Sequence, residues 1–267
     1  MPELPEVEVI VRELSSRLSG EKIINVRTLW KKSFVPNNQE MPFEHNILSV
    51  TRKGKFIILN MDVCYILVHL RMTGQLIVTN SHNYDMRHLR VIFELESGDK
   101  LLFYDARKFG RIYLIDNLGK FFSNFGVDAL STEFDISYLK DIFNKRKARI
   151  KSFLMDQRYI AGLGNIYIDE SLFRAGVHPS TAVHKLSYKK IVQLHGAIRE
   201  TLEHAIMNMG TTISNYMTTG GGFGNNQYYL RVYGRENESC YTCGTKIMKI
   251  RLNNRGTHFC PKCQPVK

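Results

Sequence analysis

Near its C-terminal end the chain reads Cys240-Tyr241-Thr242-Cys243 and, sixteen residues further on, Cys260-Pro261-Lys262-Cys263. Two CxxC pairs at this separation bring four soft sulfur ligands to one tetrahedral metal, the ligand set that suits zinc. Each pair needs a tight turn, and Gly244 after the first and Pro261 inside the second supply turn chemistry. Two disulfides are the alternative, which a reducing cytoplasm disfavours. With all four positions filled by protein, a single zinc ion has no open position for substrate, so its expected role is structural. The segment reads as a zinc ribbon, a β-hairpin around the metal. The fifth cysteine, Cys64, lies in an apolar strand-like run and reads as a buried core thiol.

Outward from the ribbon, the 267-residue chain is long enough for a sizeable core in one large or two modest domains. Lys and Arg number 37 against 25 Asp and Glu, a net charge of +12. That excess creates a positive field that attracts polyanions, and nucleic acid and anionic membrane surfaces are both open on charge alone. No apolar run reaches the roughly eighteen residues that a membrane span requires. The start, Met1-Pro2-Glu3-Leu4-Pro5-Glu6, lacks the basic and apolar segments of a secretory signal. A cytoplasmic protein outside the membrane is expected.

Pro5 to Leu18 reads as a helix, with Val7, Ile10, Val11, Leu14 and Leu18 on one face and Gly20 just past the end. From Lys22 to about Leu118 the pattern turns to β. Ile23–Val26, Phe56–Met61, Tyr65–Leu70, Gln75–Val78, Leu89–Leu95, Lys100–Tyr104 and Arg111–Leu114 read as strands of a sandwich or barrel. After about Gly126 the composition shifts, and Tyr138 to Ile206 is helical in pattern. Its basic run Lys145-Arg146-Lys147, with Arg149 and Lys151, reads on its own as a solvated face. The segment Thr218 to Asn226, with Gly220, Gly221, Gly222 and Gly224, reads as a mobile loop.

Two further segments carry chemistry. Pro2 directly follows the initiator methionine, and removal of Met1 would leave a secondary amine as the chain terminus. Terminal amines titrate near neutrality, at about 7.7–8, so an unprotonated nucleophile is available. Such an amine attacking a sugar C1′ forms an iminium, and Glu3 beside it can move the protons. A merely permitted second residue is the plainer reading of Pro2. The stretch Asp156 to Glu170 reads as helix, turn, helix. Gly162 and Gly164 allow close backbone approach, and Asn165 stands where a helix N-terminus binds phosphate. An ordinary helical hairpin explains the glycines too.

Four features taken together resemble bacterial formamidopyrimidine-DNA glycosylase. They are the MPELPEVE start, the AGLGNIYIDESLFRAGVHP segment, VYGR at Val232–Arg235 and the four-cysteine end. The resemblance runs from Met1 to Gln264. It implies an α+β chain with an N-terminal β-sandwich domain led by a helix (1–127), a helix–two-turns–helix DNA-binding domain (128–225) and a zinc ribbon (226–267). It implies Pro2 as Schiff-base nucleophile and Glu3 as acid/base. Lys55 is implied as a phosphate-contacting lysine that assists β-elimination, and Arg255 as the ribbon arginine supporting δ-elimination. Asn165 matches the phosphate-binding asparagine, and His88, Arg107 and Arg146 match further DNA contacts. Met72, Arg107 and Phe109 match the side chains that fill the gap left by a flipped nucleotide; without the resemblance Met72 and Phe109 read as core. The Gly220–Asn226 loop matches the one that closes over the flipped base.

The implied activity is a bifunctional glycosylase and abasic-site lyase acting on oxidised purines in duplex DNA, as a monomer, in the cytoplasm and nucleoid of a bacterium. An endonuclease VIII-like enzyme for oxidised pyrimidines and a non-enzymatic zinc-ribbon DNA-binding protein are the rivals. Leu4 argues against the first, whose chains typically begin PEGPE. Three positions depart from the family pattern: Arg71 where some relatives have a small residue, Lys108 where a second arginine is common, and Asn226 where Phe often precedes Gln227.

Overall fold

In the computed structural model, which describes residues 2–36, 44–144, 146–213 and 216–266, helix α1 (Leu4–Leu18) begins on a capping box. The Glu3 side chain accepts the backbone N–H of Glu6, and the Glu6 carboxylate accepts that of Glu3. These reciprocal bonds satisfy two donors that a helix start otherwise leaves orphaned. Pro5 falls in the first turn, where no intrahelical N–H is needed. Leu4, Val7, Ile10, Leu14 and Leu18 are buried, each contributing about 1.5–3 kcal/mol of transfer free energy. Gly20, at φ +89°, lets the chain turn away into the sheet.

Nine strands follow: β1 (Lys22–Thr28), β2 (Phe34–Pro36), β3 (His45–Lys53), β4 (Phe56–Met61), β5 (Tyr65–His69), β6 (Gly74–Thr79), β7 (Leu89–Leu95), β8 (Lys100–Asp105) and β9 (Arg111–Ile115). They pair in the order β2-β9-β5-β4-β3-β1-β7-β8-β6. The β1–β3 join is short, with Lys22 opposite Asn46 and Ile23 opposite His45, so it links two larger strand groups. Ile57, Leu59 and Ile66 from one group, Val91, Phe93 and Phe103 from the other, and the α1 face form one buried cluster. Strand β3 escapes a reading of the sequence because only Ile47 and Val50 of its nine residues are buried.

The chain divides into two compact units. Met1–Asn124 with Asn208–Gln227 form the first, and Phe125–Met207 with Tyr228–Lys267 the second. The second unit carries α3 (Ile136–Phe143), α4 (Ile150–Leu154), α5 (Asn165–Arg174) and α6 (Tyr188–Met207), after the short α2 (Leu118–Phe121) of the first. Its two-residue strands β10 (Val127–Asp128) and β11 (Ile160–Ala161) pair in parallel. It ends in the hairpin of β12 (Met248–Leu252) and β13 (Arg255–Phe259). Asn253 and Asn254, at φ +47° and +60°, make the two-residue turn between them. No helix among the described residues is long and apolar enough to cross a membrane.

Candidate active site and metal centre

Pro2 and Glu3 precede α1, and both are buried. The capping box fixes this segment from one side. From the other, Glu6 Oε1 accepts the backbone N–H of Thr211 at 2.8 Å. Met1 lies outside the described residues. Lys55 sits in the two-residue turn between β3 and β4, beside Gly54 at φ +58°, and is 8% exposed. Arg52 braces that turn, donating to Gly54 O at 2.9 Å and to Glu8 Oε2 at 3.0 Å on α1. Burial raises the Glu8 carboxyl, but hydrogen bonds from Arg52 and Arg12 outweigh it and leave the group below its usual range.

His69 closes β5 opposite Phe56, whose ring meets it edge-on at 4.6 Å. Its Nδ1 accepts the N–H of Arg71 at 3.0 Å. Burial first, and then the charges of Arg71 and Lys55, depress its pKa to about 3, so the ring is neutral. Cys64 is buried and its thiol is pushed up to about 11, chiefly by desolvation, which makes it an inert core group.

Met72 and Phe109 are 41% and 48% exposed at the tips of two turns, outside the core cluster. Arg107 is exposed, with its guanidinium carbon 4.9 Å from the Phe109 ring centre. His88 is exposed at φ +65°. Two of the departing residues stand in the same turns: Arg71 at φ +52° and Lys108 at φ +60°, whose ammonium lies 5.6 Å from the Trp30 ring.

The third departure, Asn226, is buried at 4% exposure, and its amide donates to Thr211 Oγ1 at 2.8 Å. It acts at the base of the Gly-rich segment and not at its surface. Gln227 Oε1 accepts Thr212 N–H at 2.9 Å, and Gly224 approaches Gly210 so closely that a Cβ would lie 2.2 Å from its carbonyl oxygen. Higher in the segment, the Glu13 carboxylate accepts both the N–H and the hydroxyl of Thr219 at 2.7 Å. Glu13 of α1 therefore moors this segment within the first unit, while Glu6 holds Thr211, to which Asn226 bonds.

In the second unit Lys151 corrects the expectation of a solvated basic face. It is 1% exposed, and its ammonium lies 2.6 Å from Asp169 Oδ1 and donates to Gly256 O at 3.1 Å. Asn165, the first residue of α5, donates to the same carbonyl at 3.1 Å. Asp169 Oδ2 accepts His258 N–H at 2.9 Å. These bonds gather Asn165 and the start of β13, where exposed Arg255 stands, around one buried ion pair. Asn253 ties the hairpin tip to Ser152 at 2.7 Å. Arg146 is exposed and donates to the Tyr159 hydroxyl at 2.9 Å, whereas Lys145 lies outside the described residues. The Glu170 carboxylate accepts the N–H groups of Arg231, Val232 and Tyr233 at 2.8–2.9 Å, shaping the VYGR segment. Burial raises its pKa above the usual carboxylate value, against these bonds. Charge patterning alone did not single out Lys151, Asp169 or Glu170, because a charged residue on a helix gives no sign of its burial.

The sulfurs of Cys240, Cys243, Cys260 and Cys263 all lie within 4.8 Å of one another, with Cys243 and Cys260 3.4 Å apart. Bonds of about 2.3 Å to a tetrahedral zinc place sulfurs about 3.8 Å apart, so the set fits the metal. Val232 and Ile247 pack against the cysteines as a small core. A single bound Zn²⁺ here supplies structure: it crosslinks the ends of a segment too small to fold on its own apolar area.

Comparison with known proteins agrees with these elements. The sequence matches the formamidopyrimidine-DNA glycosylase N-terminal domain over residues 1–112, and that family's H2TH domain over residues 125–217. It matches the zinc finger found in FPG and IleRS over residues 237–266. The formamidopyrimidine-DNA glycosylase of Pelotomaculum thermopropionicum is 42% identical over the whole of both chains, and that of Bacillus subtilis 40%. A Lactococcus lactis FPG variant solved with Fapy-dG containing DNA superposes with a TM-score of 0.92 at 34% identity, covering 99% of this chain and 100% of that one. The wild-type Lactococcus lactis FPG solved with an oxidised pyrimidine containing DNA gives 0.91 at 34% identity and the same coverage. A helix-led sandwich, a helix–two-turns–helix segment and a four-thiolate ribbon define a class of zinc-ribbon DNA glycosylases. The chain belongs to the formamidopyrimidine-DNA glycosylase family.

Proposed function

We propose that this chain excises oxidised purines, 8-oxoguanine and formamidopyrimidines, from duplex DNA and then cleaves the abasic strand. The observation that carries the reading is Pro2 beside buried Glu3 at the capped start of α1. After loss of Met1, the Pro2 nitrogen attacks C1′ and the C1′–N bond to the base breaks, the base leaving with a proton. Glu3 protonates the sugar ring oxygen, the ring opens, and the iminium makes the 2′ hydrogens acidic. Removal of one expels the 3′ phosphate in β-elimination, and a further proton loss expels the 5′ phosphate in δ-elimination. Water then releases Pro2.

Lys55 assists the first elimination and Arg255 the second, while Asn165, His88 and Arg146 hold phosphates. Met72 and Phe109 wedge into the stack, and Arg107 meets the orphaned base. One chain is the acting unit, and it works in the bacterial cytoplasm. The net charge of +12 supports a binding step that weakens steeply as salt rises.

Borohydride trapping tests the chemistry. A covalent adduct with 8-oxoguanine duplex is expected from the processed chain and not from one carrying an N-terminal extension, where the Pro2 nitrogen is an amide. An adduct of equal yield from the extended chain would remove Pro2 from the mechanism. The oxidised-pyrimidine complex of the Lactococcus lactis relative makes pyrimidine lesions the second reading. Faster release of thymine glycol than of 8-oxoguanine would favour it.

A further inference from the structure

Asp105, the last residue of β8, is 1% exposed, and its carboxylate faces neutral donors. Oδ1 takes the Thr73 hydroxyl in a short hydrogen bond and the Arg107 N–H at 3.2 Å. Oδ2 takes the Gly110 N–H at 2.6 Å. The Thr73 hydroxyl oxygen also accepts the Arg107 N–H at 3.1 Å, which closes the triangle. The backbone of Asp105 adds two more ties, its N–H donating to His88 O at 2.8 Å and its carbonyl accepting Arg90 Nε at 2.9 Å. Gly110 is required where it stands, since a Cβ would lie 2.6 Å from the Phe103 ring and 3.1 Å from Asp105 Oδ2.

A buried carboxylate is costly unless its oxygens are well bonded. Here every bond it makes runs to a turn that carries an exposed residue. Thr73 follows Met72, Arg107 is bonded through its own N–H, and Gly110 follows Phe109. We infer that Asp105 is a positioning residue that fixes Met72, Arg107 and Phe109 as one rigid element. Base extrusion and filling of the vacated stack then depend on it, while bond breaking at the sugar does not. The inference rests on the proposed glycosylase function. An amide cannot replace the carboxylate, because Asp105→Asn presents N–H groups to one of the donors it must accept and frees one turn from the other.

The experiment compares two substrates in single-turnover kinetics: a duplex with an intact 8-oxoguanine, which must be flipped, and one with a preformed abasic site, whose extrusion is cheaper. With zinc content and melting temperature matched to wild type, Asp105→Asn should lose about tenfold or more in base excision, the scale of a misplaced binding group. Abasic-strand cleavage should change by less than about threefold. Thr73→Val, at a half-buried site and open to study if Asp105→Asn fails to fold, should move in the same direction, and Thr73→Ser, which keeps the hydroxyl, should not. Equal loss on both substrates, or no loss on either, with an active wild type overturns the role of Asp105 alone. A wild type that cleaves neither substrate overturns the glycosylase reading instead.

Discussion

In the sandwich unit, exposed Met72, Arg107 and Phe109 hang on turns whose Thr73 hydroxyl and Arg107 and Gly110 N–H groups are gathered by a buried carboxylate. Glu13 and Glu6 of α1 hold the Gly-rich segment at Thr219 and the chain before it at Thr211. In the second unit, Arg255 stands on a hairpin held by four thiolates and one Lys151–Asp169 ion pair. The first arrangement spreads its restraint over many hydrogen bonds of about 1–3 kcal/mol each, so losses are graded. The second concentrates restraint in two places, so losses are abrupt. Both leave the side chain itself exposed and restrain the chain beneath it.

The largest expected effect breaks the concentrated side of this contrast. Structural zinc contributes about 10–16 kcal/mol to the folding of small metal domains. Cys260→Ser, or chelation, should release the metal, unfold the 237–266 ribbon and abolish duplex binding, read by metal analysis and fluorescence anisotropy. Tight duplex binding by metal-free protein would show that the ribbon stands without its ion. Next comes the ion pair. Lys151→Met leaves Asp169 buried without its cation and should cost about 3–5 kcal/mol in urea unfolding. Adding Asp169→Leu should recover a large part of that loss, since an apolar pair removes the uncompensated charge. A loss below about 1 kcal/mol for Lys151→Met would mean that the other donors to Asp169 suffice.

The same contrast governs what could be read from the sequence. The metal site was legible because its ligands come in two local pairs whose spacing is itself the geometry. Helix α1 was legible from its apolar period and its Gly20 stop. The Asp105 network was not, because Thr73 stands before β6 while Asp105 and Gly110 flank the β8–β9 turn, and the two segments meet only when β6 and β8 pair. Lys151 reads as a solvated lysine until Asp169, eighteen positions on, is seen to face it. Asn226, read as part of a lesion-facing loop, proved to be a buried tie, since a polar residue among glycines gives no sign of which way it points.

The smallest effect sharpens the distributed side and carries a pH sign. His69 is held neutral with a pKa of about 3, mainly by burial and then by Arg71 and Lys55. In the unfolded chain a histidine takes its proton near 6.5. The folded value is the lower one, so the folded state binds fewer protons between the two. The stability tied to the neutral ring is complete above about pH 6.5 and is lost as pH falls towards 3, at up to about 1.4 kcal/mol per pH unit. His69→Gln keeps an acceptor that can reach the Arg71 N–H and has nothing to titrate. The stability difference, wild type minus variant, should therefore hold steady from pH 8 to 7 and fall by about 2–3 kcal/mol by pH 4.5. A difference that stays flat on acidification would mean that the ring takes its proton in the folded state, and that its Nδ1 does not hold the turn bearing Met72.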